Sequence, residues 1–221
     1  MIGAGTAAWA APYVPPTGIG APARRESAGT RGCVFGTPAN LVALMPAENV
    51  GLTTAAYPRF YWYLPVNQAS FVEFTLTTAP TATAEATVVY QTRFAVTGEA
   101  GIMSLQLPET ASLPPLAPGD RYRWQLAVFC NPASPNGDLQ VDGWVERQLP
   151  DADLMAALAT ASAREQAELY ASNGYWFDAV DHFATQQIAC PEEADWAAGW
   201  TELLTSVGLG HLATQPWVTG E

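Results

Sequence analysis

The stretch "LAPGDRYRW", residues 116–124, decides how the first two thirds of this chain are read. Leu116, Pro118, Gly119 and Tyr122 follow the L-x-P-G-x-x-Y pattern of a tyrosine corner. The Pro-Gly pair makes a turn. A tyrosine just inside the next strand then turns its hydroxyl back to upstream backbone. Beyond the turn, Tyr122, Trp124, Leu126, Val128 and Cys130 alternate onto one face, as a half-buried strand requires. The plainer reading is an ordinary β-turn before a strand. The corner predicts an antiparallel β-sandwich of immunoglobulin- or fibronectin-like type.

Working outward, the same period of two runs through residues 41–149. "RFYWYLP" (59–65) sets Phe60, Trp62 and Leu64 against Arg59, Tyr61 and Tyr63, and "FVEFTLTT" (71–78) sets Val72, Phe74 and Leu76 against polar partners. "LVALMP", "TVVYQTRFAV", "GIMSLQLP" and "LQVDGWVERQL" continue the series between Pro, Gly, Asn and Thr clusters. About seven strands in about 110 residues is sandwich spacing.

After Pro150 the pattern becomes helical. "DADLMAALATASAREQAELYASNG" (151–174) reads as one helix stopped by Asn173-Gly174, followed by helices in "YWFDAVDHFATQQIACP" (175–191) and "WAAGWTELLTSVGL" (196–209). Tyr170, Ala179, Phe183 and Pro191 match part of the roughly 34-residue tetratricopeptide repeat. Ala163, Gln166 and Ala167 depart from it. One and a half repeats cannot bury their own apolar surface. The module of residues 150–221 must therefore pack on the sandwich or on another molecule.

The 221 residues are 49% apolar and 14% charged, a globular composition with ample core. Net charge is −12 and uneven. Residues 1–149 hold ten acids and eight arginines, net −2, whereas residues 150–221 hold eleven acids and Arg164, net −10. Such a body repels polyphosphate, which disfavours nucleic-acid binding. No apolar run is long enough for a membrane helix. "MIGAGTAAWA" (1–10), with "AWA" before "AP", reads as the remnant of a secretory signal, and so predicts an extracytoplasmic location.

Residues 11–40 are rich in Pro and Gly and read as an extended arm. Arg24, Arg25 and Arg31 make it basic. They are expected to pair with the acids of the helical module, within the molecule or on a neighbour, where strand addition would build an assembly. Of three cysteines, Cys33 and Cys130 are the expected disulfide in an exported chain, with Cys190 free. With no CxxC and only His182 and His211, zinc is disfavoured.

Few residues suggest chemistry. Asp178 and His182 share a helical face beside Asp181, as an acid–base pair or metal site would. The stronger expectation there is a solvated acidic face. "GIGAPA" (18–23) resembles the start of a dinucleotide loop, but no strand precedes it and Pro22 interrupts it. Arg59, Tyr61 and Tyr63, with Phe129, Arg121 and Arg123, would make an aromatic–arginine surface able to stack sugars or dock a protein. Helices of the C-terminal part covering that face are the plainer expectation. No catalytic residue, cofactor site or metal site is assigned.

"GAPARRESAGTRGC", "ALMPAENVGLTTAAYPRFYWYLP", "GIMSLQLP", "YRWQLAVFC", "VDGWVER" and "LYASNGYWFDAV" together resemble the cyanobacterial family called domain of unknown function 928. The resemblance covers nearly the whole chain. It implies an exported protein and supplies no catalytic residues to carry over. The expected function is that of a non-enzymatic interaction or assembly protein, with the arm and helical module as binding elements. A carbohydrate-binding envelope protein and a hydrolase are the alternatives.

Overall fold

The computed structural model describes residues 12–18, 20–27, 34–35, 40–48, 50–110, 112–133 and 136–218. Its strands are β1 (Val34–Phe35), β2 (Val42–Ala43), β3 (Val50–Thr53), β4 (Arg59–Leu64), β5 (Val66–Asn67), β6 (Phe71–Thr78), β7 (Val88–Phe94), β8 (Gly101–Gln106), β9 (Arg121–Phe129) and β10 (Leu139–Arg147). One sheet has the order β3-β10-β9-β6-β7, the other β2-β4-β8, and β1 pairs with β5. Among the named strands of the described residues, every pairing is antiparallel except β3 with β10.

Two sheets form a sandwich-like core because the inward rows of both are large and apolar. Phe60 of β4 meets Phe74 at 5.0 Å and Trp124 at 5.5 Å between ring centroids, and Trp62 and Leu64 are fully buried beside it. The turn at 116–120 behaves as its sequence predicts. Gly119 takes φ 83°, and the Tyr122 hydroxyl accepts a hydrogen bond from the Ala117 N–H at 3.0 Å. Tyr122→Phe should cost about 1 kcal/mol by removing that acceptor. The check is a lower urea midpoint at an unchanged denaturant slope.

Four helices follow: α1 (Ala152–Thr160), α2 (Ala163–Ser172), α3 (Trp176–Ala189) and α4 (Ala194–Ser206). The single helix expected over 151–172 is two. Ser162 breaks it by capping α2: its side chain accepts from the Glu165 N–H, and the Glu165 carboxylate accepts from the Ser162 N–H. α2, α3 and α4 share one continuous apolar core with the sandwich, running from Tyr13 through Trp124 to Leu212, whereas Leu154 of α1 packs in a small separate cluster with Leu52 and Tyr175. Close approach makes this possible. A Cβ on Gly51 of β3 would lie 2.8 Å from the Trp176 Cβ, so α3 sits directly on that strand.

The described parts of the arm dock on their own chain. Ala43 N–H donates to Arg25 O, Ser27 N–H to Leu41 O, and Glu26 bridges Val42, so the arm closes the edge of β2. The other end of the chain does the same for β8, where Ile102 N–H donates to Pro216 O and Val218 N–H to Ile102 O. Near the helices, Val14 N–H donates to Ala171 O, while the buried Tyr13 donates its hydroxyl to Gly174 O.

Candidate functional site

α3 carries Asp178, Asp181 and His182 on one face, and that face meets the segment joining β3 to β4. Together they line a cleft of about 260 Å³ with Arg59 and Tyr57. Asp178 accepts from the Thr54 N–H at 3.0 and 3.2 Å and from the Thr54 hydroxyl. Asp181 lies 3.0 Å from Arg59 Nε and accepts from the Tyr61 hydroxyl at 2.7 Å. The expected solvated acidic face is therefore corrected. α3 is apolar on two sides, with Trp176, Phe177, Val180, Phe183 and Ala184 all buried, so Asp178 is enclosed between sheet and helix while Asp181 stays half-buried in its pair with Arg59. That two-sided pattern was the signal in the sequence.

Burial sets the electrostatics of the cleft. It pushes the Asp178 carboxyl up to about 6, against the pull of its Thr54 hydrogen bonds. His182 is held below its ordinary value by burial, opposed by the nearby Asp181 charge, and Tyr61 is raised by burial and then by Asp181. Among the described residues no three metal-ligating side chains converge on one point. Asp178 thus has the proton affinity of an acid–base group, but Thr54 engages both its oxygens. The geometry is that of a latch between α3 and the sandwich.

The latch has a pH signature. A carboxyl whose folded pKa is raised gives stability that is fully present below its unfolded pKa and is lost as pH rises through about 6. His182, depressed in the fold, acts in the opposite sense and loses stability as pH falls. Comparing Asp178→Asn with the wild type isolates the carboxyl. Between pH 7 and pH 5 the wild-type melting temperature should gain on that of the variant. Parallel profiles would show that Asp178 does not titrate there.

Tyr61 and Tyr63 are only 4% and 2% exposed, and Tyr61 lies edge-on to Trp217 at 6.3 Å. The open aromatic–arginine surface considered around Arg59, Tyr61 and Tyr63 does not form; as the plainer expectation had it, C-terminal elements cover that face of β4, with Asp181 of α3 and Trp217 lying on Tyr61. Phe129 is likewise buried, stacked on Phe71 at 4.4 Å. Arg121 and Arg123 pair across the outer sheet face with Glu146 and Asp142.

Among the described residues, the contacts of Arg24 and Arg25 are not the expected pairs with helical acids. The Arg25 guanidinium donates to Val207 O at 2.8 Å, at the carbonyl end of α4 where positive charge is favoured. Arg24 engages Asp142 through its backbone N–H and carbonyl. Arg31 and Cys33 lie outside the described residues, so the Cys33–Cys130 pairing does too. Cys190 is the free cysteine among the described ones.

Residues 26–217 match the model of the family described as Domain of Unknown Function (DUF928). The chain belongs to this family. The DUF928 match begins at Glu26, which bridges Val42, and ends at Trp217, which bridges Ile102. Its limits are thus the two segments that close the edges of the β2-β4-β8 sheet. No curated protein matches the chain.

Proposed function

We propose that this DUF928 chain is an exported, non-enzymatic interaction protein that binds a cationic protein partner through its helical module. One observation carries the reading. The two carboxylates of the polar cleft, Asp178 and Asp181, hold α3 to the sandwich, whereas Asp153 and Glu165 on α1 and α2 face solvent. Between those helices runs a groove of about 500 Å³ lined by Ala157, Ala161, Glu165, Glu168 and Leu169. An open acidic rim with apolar side chains favours a basic amphipathic segment.

In this reading the arm (11–40) is an intramolecular clamp that frees the module (150–221) for binding. The sandwich is of immunoglobulin-like type, supported by the Tyr122 corner and by the parallel β3–β10 pair at one end of its larger sheet. α2 and α3 form the tetratricopeptide-like hairpin, with Ala179 and Phe183 buried between elements. Cys33 bonds Cys130, consistent with an oxidising, extracytoplasmic location. Supporting the bond, Val34 pairs with Asn67, and Ser70, three residues further on, donates its N–H to Phe129 O. The carbohydrate alternative relied on exposed Tyr61 and Tyr63, which the fold buries.

The test is calorimetric titration with a synthetic amphipathic peptide bearing arginines on one face. Saturable binding should weaken about tenfold or more in high salt. It should fall further in Asp153→Asn/Glu165→Gln, where Gln keeps the helix cap. Absence of saturable binding, or turnover on a panel of ester and glycoside substrates, would overturn the proposal.

A further inference from the structure

Three of the four outer strands of the two sheets are closed. The arm closes β2 and the C-terminal segment closes β8. The end of α2 and the start of α3 close β3, with Leu52 N–H donating to Gly174 O and Thr54 N–H to Asp178. β7 is the exception. It pairs with β6 on one side, and among the described residues nothing pairs with its other side. An open edge presents a row of unpaired N–H and C=O groups, which natural proteins shield with charge, proline or bulges. β7 has no proline, and the irregularity in its pairing lies at Leu76/Thr77, beside Val88 at one end. Its one charge, Arg93, is turned onto its own sheet, paired with Glu73 and lying 4.9 Å over the Phe71 ring. Val88 is 61% exposed, the most exposed large apolar side chain among the described residues.

We infer that β7 pairs antiparallel with β7 of a second copy, about a two-fold axis at Gln91, to make one continuous ten-stranded sheet. Side chains on an antiparallel ladder face the same way when directly opposite. With the axis at Gln91, all seven residues find partners: Val88 meets Phe94, Val89 meets Arg93 and Tyr90 meets Thr92. Tyr90, Thr92 and Phe94 stand opposite Leu76, Phe74 and Val72, so they belong to the core face, and the pairing keeps that face continuous. Val88 stands opposite Thr77 beyond the irregularity, so it lies on the outer face at the end of the ladder. No like charges stand opposite one another.

Charge placement selects this occupant despite the net charge of −12. The acids are concentrated in the helical module, which packs on β3, and β3 lies four strands from β7. Joining the β7 edges therefore leaves the two acidic modules at opposite ends of the sheet. Each copy alone spans about 19 Å between β3 and β7, already beyond the screening length of about 8 Å in physiological salt. At the edge itself the charge of Arg93 is matched by Glu73 of the neighbouring strand.

Sedimentation equilibrium of the full chain tests the pairing. The mass should rise from 23.5 kDa towards twice that between about 1 and about 300 µM. Gln91 is exposed, so Gln91→Lys and Gln91→Glu should fold normally by circular dichroism while placing like charges face to face across the axis. Each variant alone should remain monomeric, and an equimolar mixture should recover the dimer. Three results would each overturn the inference: a wild type monomeric throughout, single variants that dimerise as the wild type does, or a mixture that stays monomeric. The α1–α2 groove lies elsewhere, so none of these results bears on binding of a cationic partner.

Discussion

Trp176→Ala is expected to cost about 3–5 kcal/mol, the range for deleting a large buried aromatic. Trp176 is fully buried and joins three parts of the chain. Its indole N–H donates to Leu44 O at 2.8 Å, its ring meets Tyr13 of the arm edge-on at 4.9 Å, and its Cβ packs against Gly51 of β3. Alanine leaves a cavity, strips the Leu44 carbonyl of its donor and removes the support of Tyr13. Against a typical total stability of about 5–15 kcal/mol, this loss is a large fraction. For a chain of this size the melting temperature should fall by about 10 °C. Urea unfolding followed by tryptophan fluorescence and by far-ultraviolet dichroism checks it. A loss below about 1 kcal/mol would mean that α3 and the arm are not anchored through this residue.

The second large effect concerns the proposed Cys33–Cys130 bond. It would close a loop of about 100 residues, for which constraint of the unfolded chain gives up to about 4.7 kcal/mol, and removal of such bonds typically costs about 2–5 kcal/mol. Cys33→Ser and Cys130→Ser should each lower stability by that order, and adding reductant to the wild type should do the same. Cys190→Ser should leave it nearly unchanged, because that thiol is free and only partly buried. Thiol titration of the denatured, unreduced protein should find one thiol, and three after reduction, matching the three cysteines of the chain. Three thiols before reduction would remove the bond.

Membership of DUF928 and the sandwich-like core were both legible from residues close together in sequence. The turn at 116–120, the Tyr122 corner and the alternation of Val72, Phe74 and Leu76 are set by backbone geometry and a period of two, which a few neighbouring residues encode. The break between α1 and α2 was missed: Ser162 and Glu165 stand at capping-box spacing, but the alanine-rich run around them hid the signal. Only the tertiary structure decided what covers each face. Nothing in "RFYWYLP" distinguishes a strand wet on one side from one buried on both, yet Asp181 and Trp217 enclose Tyr61 from far along the chain. The arm's destination was equally hidden, because its bonds, many of them from backbone groups, reach partners as distant as Ala171 and Val207. The candidate site arises the same way. Asp178 acquires its raised proton affinity only when α3 closes on Thr54, since desolvation depends on where the rest of the chain packs, and a local sequence pattern carries no record of that.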